Sequence, residues 1–538
     1  MGDLVKEKKM YNILDLFAGA GGLSLGFVQQ GNFNIVGVIE NNENALMTYQ
    51  KNHSSDDFMI ERDIRTVDFK SFREKIGNVD VIIGGPPCQG FSNANRQKTK
   101  FISMNNALVK RYLDAVIDIQ PQAFVMENVA MLKSDVHKFF DSNIDHDEVK
   151  KLGIKMKNEA SVIMNQNPDG DQMIEVLKNK KTVNYYSMEE SLFNSVKVVK
   201  RYLGKEKKLN SYFSKYSTSV IRGLSEYEQK LGSDIIGQMV KSFIDVLLSN
   251  YNKREVTADF KEKLDKLIEF ERAISLMKEL HDNQVIFDLS EKEDGKIEVE
   301  LQSYTVFDYI NKRIKNNYNV TYGVLNAADF GAPQERHRFI MIGIRSDIIN
   351  KKVVEMPFHE EVVKHTVRDA IYDLEKYVPC KSVNDSPISR KEFSKNNFTK
   401  ALQDGKKNIY NHVNTDTRAT AMNRFAKIKQ GKNFHSLDAS MKEDTYSDPT
   451  RTQNTIYLRL DYDKPCGTVV NVRKSMWIHP TKNRAISIRE AARLQTFPDS
   501  YIFYGSKDSQ YQQIGNAVPP ILSKAIANKI VDLLCEEE

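Results

Sequence analysis

Three stretches of this sequence carry residues that could do chemistry together. The first is GGPPCQGFS, residues 84–92. Its prolines stiffen a turn that follows an apolar run, Val79–Ile83, and the turn would present Cys88 at a strand end. A lone cysteine is ordinarily a small buried hydrophobe, but in such a turn it is a candidate nucleophile. The second is Glu127, which directly follows the strand-like run Ala123–Met126. A carboxylate at that depth is costly to bury unless it is partnered or protonated. Glu127 therefore reads as a proton donor, or as a salt-bridge partner of Arg336 or Arg338, and the two roles are compatible. The third is FAGAGG, residues 17–22, where Gly19, Gly21 and Gly22 would let the backbone turn tightly and approach a ligand closely.

These stretches need a scaffold, and the sequence supplies one. Short apolar runs at Ile13–Phe17, Ile35–Ile39, Phe58–Ile60, Val79–Ile83 and Ala123–Met126 alternate with helical patterns such as Asn42–Asn52 and Ala107–Gln120. The β signal returns at Tyr322–Leu325 and Phe339–Ile344. Alternation of this spacing predicts an α/β fold with a doubly wound, Rossmann-like, mostly parallel sheet. Ligands of such sheets bind beyond the carboxyl ends of the strands. Glu40 follows the second strand and is placed to accept hydrogen bonds from ribose hydroxyls. Asp63 and Ile64 follow the third and could hold the edge and face of an adenine. A glycine-rich turn alone is weak, and FAGAGG departs from G-x-G-x-x-G because Ser24 occupies the last position. Three successive strand ends with compatible groups point to a nucleoside cofactor.

The rest of the chain divides by composition. Residues 1–132, 317–345 and 485–538 belong to the predicted sheet domain. Residues 133–316 read as a mostly helical insert, in which Phe260, Leu264, Leu267, Ile274, Met277 and Leu280 recur at helical spacing. Residues 346–484 read as a smaller, irregular domain rich in Asn, Thr and Ser. The whole chain carries a net charge of +6, unevenly spread: residues 133–303 sum to −2 and residues 345–484 to +9. A basic segment suits a polyanion such as DNA or RNA, or is a solvated basic face. The four cysteines lie far apart with no C-x-x-C pairing, which argues against a disulfide framework or a zinc cluster, and no metal site is expected. No signal peptide and no 18-residue apolar run is visible, so the expectation is a soluble cytoplasmic protein that does not enter a membrane.

The blocks LDLFAGAGGLSLGF, VIIGGPPCQGFS, FVMENV, VLNAADFGAPQERHRFIMIGIR, SIREAARLQTFPDSYIFYG and QIGNAVPP resemble, in order, the motif series of the DNA cytosine-C5 methyltransferase family. The resemblance implies a methyl donor, S-adenosyl-L-methionine (product S-adenosyl-L-homocysteine), and double-stranded DNA as partner. It implies that Cys88 attacks C6 of a flipped-out cytosine while Glu127 protonates or hydrogen-bonds N3. Arg338 would contact the base and Glu127, with Arg336 and Gln334 as supports. Phe17, Gly19, Gly21, Glu40, Asp63, Ile64, Leu108 and Asn516 match cofactor positions, with Gly22, Asn41, Pro87, Ala517 and Val518 beside them. Asn41 stands where the family usually has an aromatic, which removes one stacking contact to adenine. The loop from Ser92, with Arg96, Lys98 and Lys100, resembles the one that closes over the flipped base. Residues 346–484 would be the target-recognition domain, and Thr468 resembles its backbone-contacting threonine. The resemblance further implies action as a monomer on DNA in restriction-modification or related DNA marking. The insert, with no net positive charge, suits bracing or protein contact. A tRNA cytosine-C5 methyltransferase shares this chemistry but is compact. A catalytically silent DNA-binding subunit would have lost Cys88, Glu127 and Arg338. An NAD-dependent oxidoreductase would show the glycine fingerprint that is missing here.

Overall fold

The computed structural model describes residues 9–53, 58–87, 106–166, 171–253, 256–349, 353–358, 363–442 and 449–535. Cys88, Ser92, Arg96, Lys98 and Lys100 lie outside the described residues. The chain forms two compact units, the second being Ser134–Lys312 apart from a short stretch outside the described residues.

The first unit is built on a seven-stranded sheet. In chain order its elements are β1 (Tyr11–Leu16), α1 (Gly22–Gln30), β2 (Phe33–Ile39), α2 (Glu43–Asn52), β3 (Met59–Glu61), α3 (Phe69–Ile76), β4 (Val81–Gly84), α4 (Asn106–Ile119), β5 (Ala123–Val129), β6 (Tyr318–Asn326) and β7 (His337–Arg345). The strand order is β6-β7-β5-β4-β1-β2-β3, and β7 alone runs antiparallel to its neighbours. The central strands are buried on both faces, which is why they read as unbroken apolar runs such as VIIG. Local signals set the helix starts: the side chains of Asn42 and Asp68 accept from main-chain N–H groups of the first turns of α2 and α3.

The predicted strands are all present with shifted ends, and one shift matters. β5 does not stop at Met126. Pairing with β4 ends at Met126, but β7 continues to pair through Val129. Glu127 is therefore inside a strand, one residue past the end of its parallel neighbour. The final helix pattern forms Pro520–Leu534, which packs against the sheet core. Lys507–Asn516 is a helix that the sequence pattern did not reveal.

The described residues of 346–484 pack in the same unit as short helical pieces and loops. Part of them forms a small core around Phe425, Phe434, Tyr457 and Ile478. Another part is tied to the helix Ile488–Leu494 through buried ions. Arg493 pairs with Asp373 and with Asp499, 2.6 Å away, and Arg390 pairs with the same two carboxylates. Each charge there is compensated, as burial requires.

The second unit is mostly helical, with Glu206–Leu231, Ile235–Lys253 and Ala258–Asp282 its longest helices. The six apolar residues predicted to line Ala258–Asp282 are all buried. The unit also holds an antiparallel sheet absent from the helical expectation. Its central strand, Ile297–Thr305, pairs with Lys138–Phe140, Lys157–Met164 and Phe287–Glu291.

Candidate active site

The turn after β1 is strained into the left-handed region at three positions, Phe17, Gly19 and Gly21. The Gly19 N–H donates to Glu40 Oε2 at 2.7 Å, and the Asn42 N–H donates to Oε1 at 2.7 Å. Glu40 thus holds two main-chain groups and keeps acceptor capacity on both oxygens. Burial pushes its carboxyl above the usual range, against the opposing effect of these bonds. A Cβ on Gly19 would meet nothing within 4 Å, so the turn borders open space, whereas one on Gly21 would lie 2.6 Å from His53. Asn41 is exposed beside it and accepts from Arg62 through its carbonyl.

After β3, Asp63 takes the Arg65 N–H at 3.0 Å and the Arg65 guanidinium at 2.6 Å. These bonds hold its carboxyl below the usual range. Ile64 is buried, and Leu108 and Pro87 are half-buried. Ala517 and Val518 pack on the glycine turn, since a Cβ on Gly22 would stand 2.5 Å from the Val518 carbonyl oxygen. Asn516 is exposed and its side chain accepts from Gln512. An open turn, a ribose-type carboxylate and an adenine-type strand end fit a nucleoside cofactor.

Glu127 sits on β5, between β4 and β7. Its Oε1 is 2.8 Å from Arg338 Nε, an ion pair with both side chains largely buried. The pairing is a diagonal cross-strand contact: Glu127 lies opposite Ile340, and Arg338 opposite Val129. A Cβ on Gly85 would stand 2.6 Å from Glu127 Oε2, so any larger residue there would have to displace the carboxylate. Asn128 Nδ2 donates to the Pro86 carbonyl at 3.0 Å. The turn that leads to Cys88 is thereby fixed to the strand that carries Glu127.

Of the two arginines considered as partners of Glu127, only Arg338 makes the pair. Arg336 is fully buried and donates to the carbonyls of Val469 and Gly515, each at 2.8 Å. Among the described residues its Nε has no hydrogen-bond partner. Burial pushes its pKa far down, with Arg338 nearby acting in the same direction. Gln334 accepts from the Val469 N–H and donates to the Leu494 carbonyl and to Gln495. Thr468 Oγ donates to the Glu335 carbonyl at 2.9 Å. These three residues knit the loop before β7 to 468–469 and to the ends of the helices Ile488–Leu494 and Lys507–Asn516.

A cluster that the sequence reading missed lies behind the glycine turn. Ser24 donates to the buried carboxyl of Asp15, and Tyr49 donates to Ser24 at 3.0 Å. Burial pushes the Asp15 carboxyl up to about 7. Tyr501 donates to the Ala20 carbonyl and lies 3.2 Å from His53 Nε2. An acidic residue inside the apolar run YNILDLF was the one signal available.

A sequence model described as C-5 cytosine-specific DNA methylase matches residues 11–157 and 299–532 of this chain. The type II methyltransferase M.DdeI of Desulfomicrobium norvegicum is 26% identical over 535 residues, covering 96% of this chain and 88% of that protein. The DNA (cytosine-5-)-methyltransferase M.ApeKI of Aeropyrum pernix is 26% identical over 551 residues, covering 97% and 99%. A solved structure described as a candidate DNA modification methyltransferase from an E. coli prophage shares the fold, with a TM-score of 0.54 at 20% identity, covering 98% of this chain and 100% of that one. The match spans most of the chain and takes in the glycine turn, Glu127 and Arg338: the chain belongs to the C-5 cytosine-specific DNA methylase family and is a DNA (cytosine-5-)-methyltransferase.

Proposed function

We propose that this enzyme methylates C5 of a cytosine flipped out of double-stranded DNA, through a covalent adduct with Cys88, as the modification partner of a restriction system. The observation that carries the reading is the Glu127–Arg338 pair seated over Gly85, beside the turn that leads to Cys88. In this reading S-adenosyl-L-methionine supplies the electrophilic methyl group. Glu40 holds its ribose, Asp63 and Ile64 its adenine, and the turn Phe17–Gly22 its amino-acid end, with Leu108 and 516–518 closing the sides.

The steps follow from the residues. The Cys88 thiolate adds to C6 of the base, which ends its aromaticity and makes C5 nucleophilic. Glu127 gives a proton or hydrogen bond to N3, where the displaced electron pair would otherwise accumulate as charge. Arg338 grips one carboxylate oxygen of Glu127 and leaves the other to the base. C5 takes the methyl group, loses its proton to a base, and the C6–sulfur bond breaks to release Cys88. A cytosine inside a duplex hides C6, so the base must leave the stack. The basic segment 346–484 reads the target, with Thr468 near the DNA backbone. The enzyme works as a monomer on DNA in the cytoplasm, and the insert offers a protein-contact surface.

Duplex DNA with 5-fluorocytosine tests this directly, because fluorine at C5 cannot leave as a proton does. Wild-type protein is expected to form a denaturation-resistant DNA adduct in the presence of the methyl donor. Cys88→Ser is expected to form none and to transfer no methyl group. An adduct recovered from Cys88→Ser sinks the assignment, and methyl transfer to tRNA rather than DNA redirects it.

A further inference from the structure

The strand end proposed to hold adenine is poorly supported by its own sheet. β3 has three residues, sits at the sheet edge and, among the described residues, pairs only with β2. The turn that follows makes local bonds, from the Thr66 N–H to the Asp63 carbonyl at 3.0 Å and from the Arg65 N–H to the Asp63 side chain. Neither bond ties it to the rest of the unit. A side chain from α4 does. Arg111, on α4, donates from Nε to the Ile64 carbonyl at 3.1 Å and from Nη2 to the Val67 carbonyl at 2.6 Å.

The guanidinium is itself held. It lies over the ring of Phe69, 4.8 Å from the centroid, and Nη1 pairs with Asp114 at 2.8 Å. The other Asp114 oxygen pairs with Arg313 at 2.8 Å. Arg111 is thus a planar fork fixed on three edges, aimed at two carbonyls of one turn. Lysine could reach only one of them. Leu108 precedes Arg111 by three residues, so both lie on one face of α4. That face serves the adenine seat twice.

We propose that Arg111 is a positioning residue that sets the adenine side of the S-adenosyl-L-methionine seat by holding Ile64 and Val67 in register with Glu40. The proposal rests on the cofactor reading above. It predicts a defect confined to the adenosine part of the ligand. Calorimetric titration of the full chain with S-adenosyl-L-homocysteine, with adenosine as competitor, tests it. Arg111→Met keeps the stem and removes the fork. It is expected to weaken S-adenosyl-L-homocysteine binding about tenfold and adenosine binding by the same factor. At saturating methyl donor, kcat and the KM for DNA are expected to stay unchanged, and Arg111→Lys to recover part of the loss. Asp114→Asn leaves Arg111 in place but loosens it, and is expected to give the same pattern at about threefold; it decides the matter if Arg111→Met does not fold. Unchanged affinity overturns the proposal, as does a loss that spares adenosine or that lowers kcat and DNA affinity in step. If wild-type protein binds neither ligand, the cofactor reading falls and Arg111 with it; if wild type binds and the variants match it, Arg111 alone is wrong.

Discussion

At the scale of single residues, the site depends on carboxylates whose surroundings differ. Glu127 has one oxygen on Arg338 and the other over Gly85. Glu127→Gln keeps the shape and loses the proton. General acid catalysis is worth about 10²–10⁴ in rate, so turnover is expected to fall by that order while DNA binding changes less. Single-turnover methylation at saturating DNA reads this, and unchanged turnover would make Glu127 structural. Glu40 does different work, orienting Gly19 and Asn42 by hydrogen bonds. Glu40→Ala is expected to cost about 1–3 kcal/mol of S-adenosyl-L-methionine binding, the scale of a lost charge-assisted hydrogen bond plus the unpaired donors left behind. Equilibrium dialysis at wild-type affinity would contradict the ribose role.

At the scale of elements, the insert contains an acid whose burial favours its neutral form. Glu271, buried on the helix Ala258–Asp282, lies 2.6 Å from the hydroxyl of Tyr227. That hydroxyl is also 2.5 Å from the Tyr186 carbonyl. The hydroxyl donates to the carboxyl, whose other oxygen accepts from the Met188 N–H at 3.2 Å. Burial pushes the Glu271 carboxyl from 4.5 up to about 7. A raised acid pKa means that the folded state binds the proton more tightly. The stability that Glu271 contributes is therefore fully present below pH 4.5, is lost between 4.5 and about 7, and stays level above that. Glu271→Gln is neutral throughout. It should melt with wild type at low pH and be more stable at pH 8, by up to ~3 kcal/mol for a shift of this size. Far-UV circular dichroism follows the helical insert, while Trp477, the one tryptophan in the sequence, reports on the other unit. A constant difference across pH would show that Glu271 is charged in the folded protein.

At the scale of the whole molecule, the charge is divided between segments. Residues 345–484 carry a net charge of +9, and residues 133–303 carry −2. Counterion release scales with the number of phosphates neutralised. Replacing residues 140–300 with a short linker is therefore expected to leave the salt slope of DNA binding nearly unchanged. Neutralising lysines and arginines of 346–484 should flatten it by about 0.9 for each phosphate that is no longer neutralised. Folding of the deletion is checked first, because Glu127 and Arg338 lie on either side of it in sequence. A well-folded deletion that loses most of its salt-dependent affinity would make the insert a DNA clamp through Lys197, Arg201, Lys205, Lys207 and Lys208. Lys200 is a weaker candidate, since Asp265 already pairs with it at 2.6 Å.

The sequence by itself determined the sheet and the strand ends at which the candidate site residues lie. Those signals are local: apolar runs buried on both faces, glycines at a tight turn, an acid after a strand. It also determined the stripe of Ala258–Asp282, because a helix shows its buried face within a few turns. It did not reveal Lys507–Asn516, whose buried face includes Gln510 and Gln513, held by hydrogen bonds rather than by apolar contact. The alternation IEVEL in Ile297–Thr305 was readable, but its partners lie far away in the chain and no local pattern names them. The same limit applies to Glu127. Two arginines stood two residues apart, and only the antiparallel register of β5 and β7 decided that Arg338 faces the carboxylate while Arg336 turns into the junction. Arg111 and Tyr501 escaped notice for the same reason: each acts on the main chain of a turn remote in sequence, and such a partnership exists only once the chain is folded.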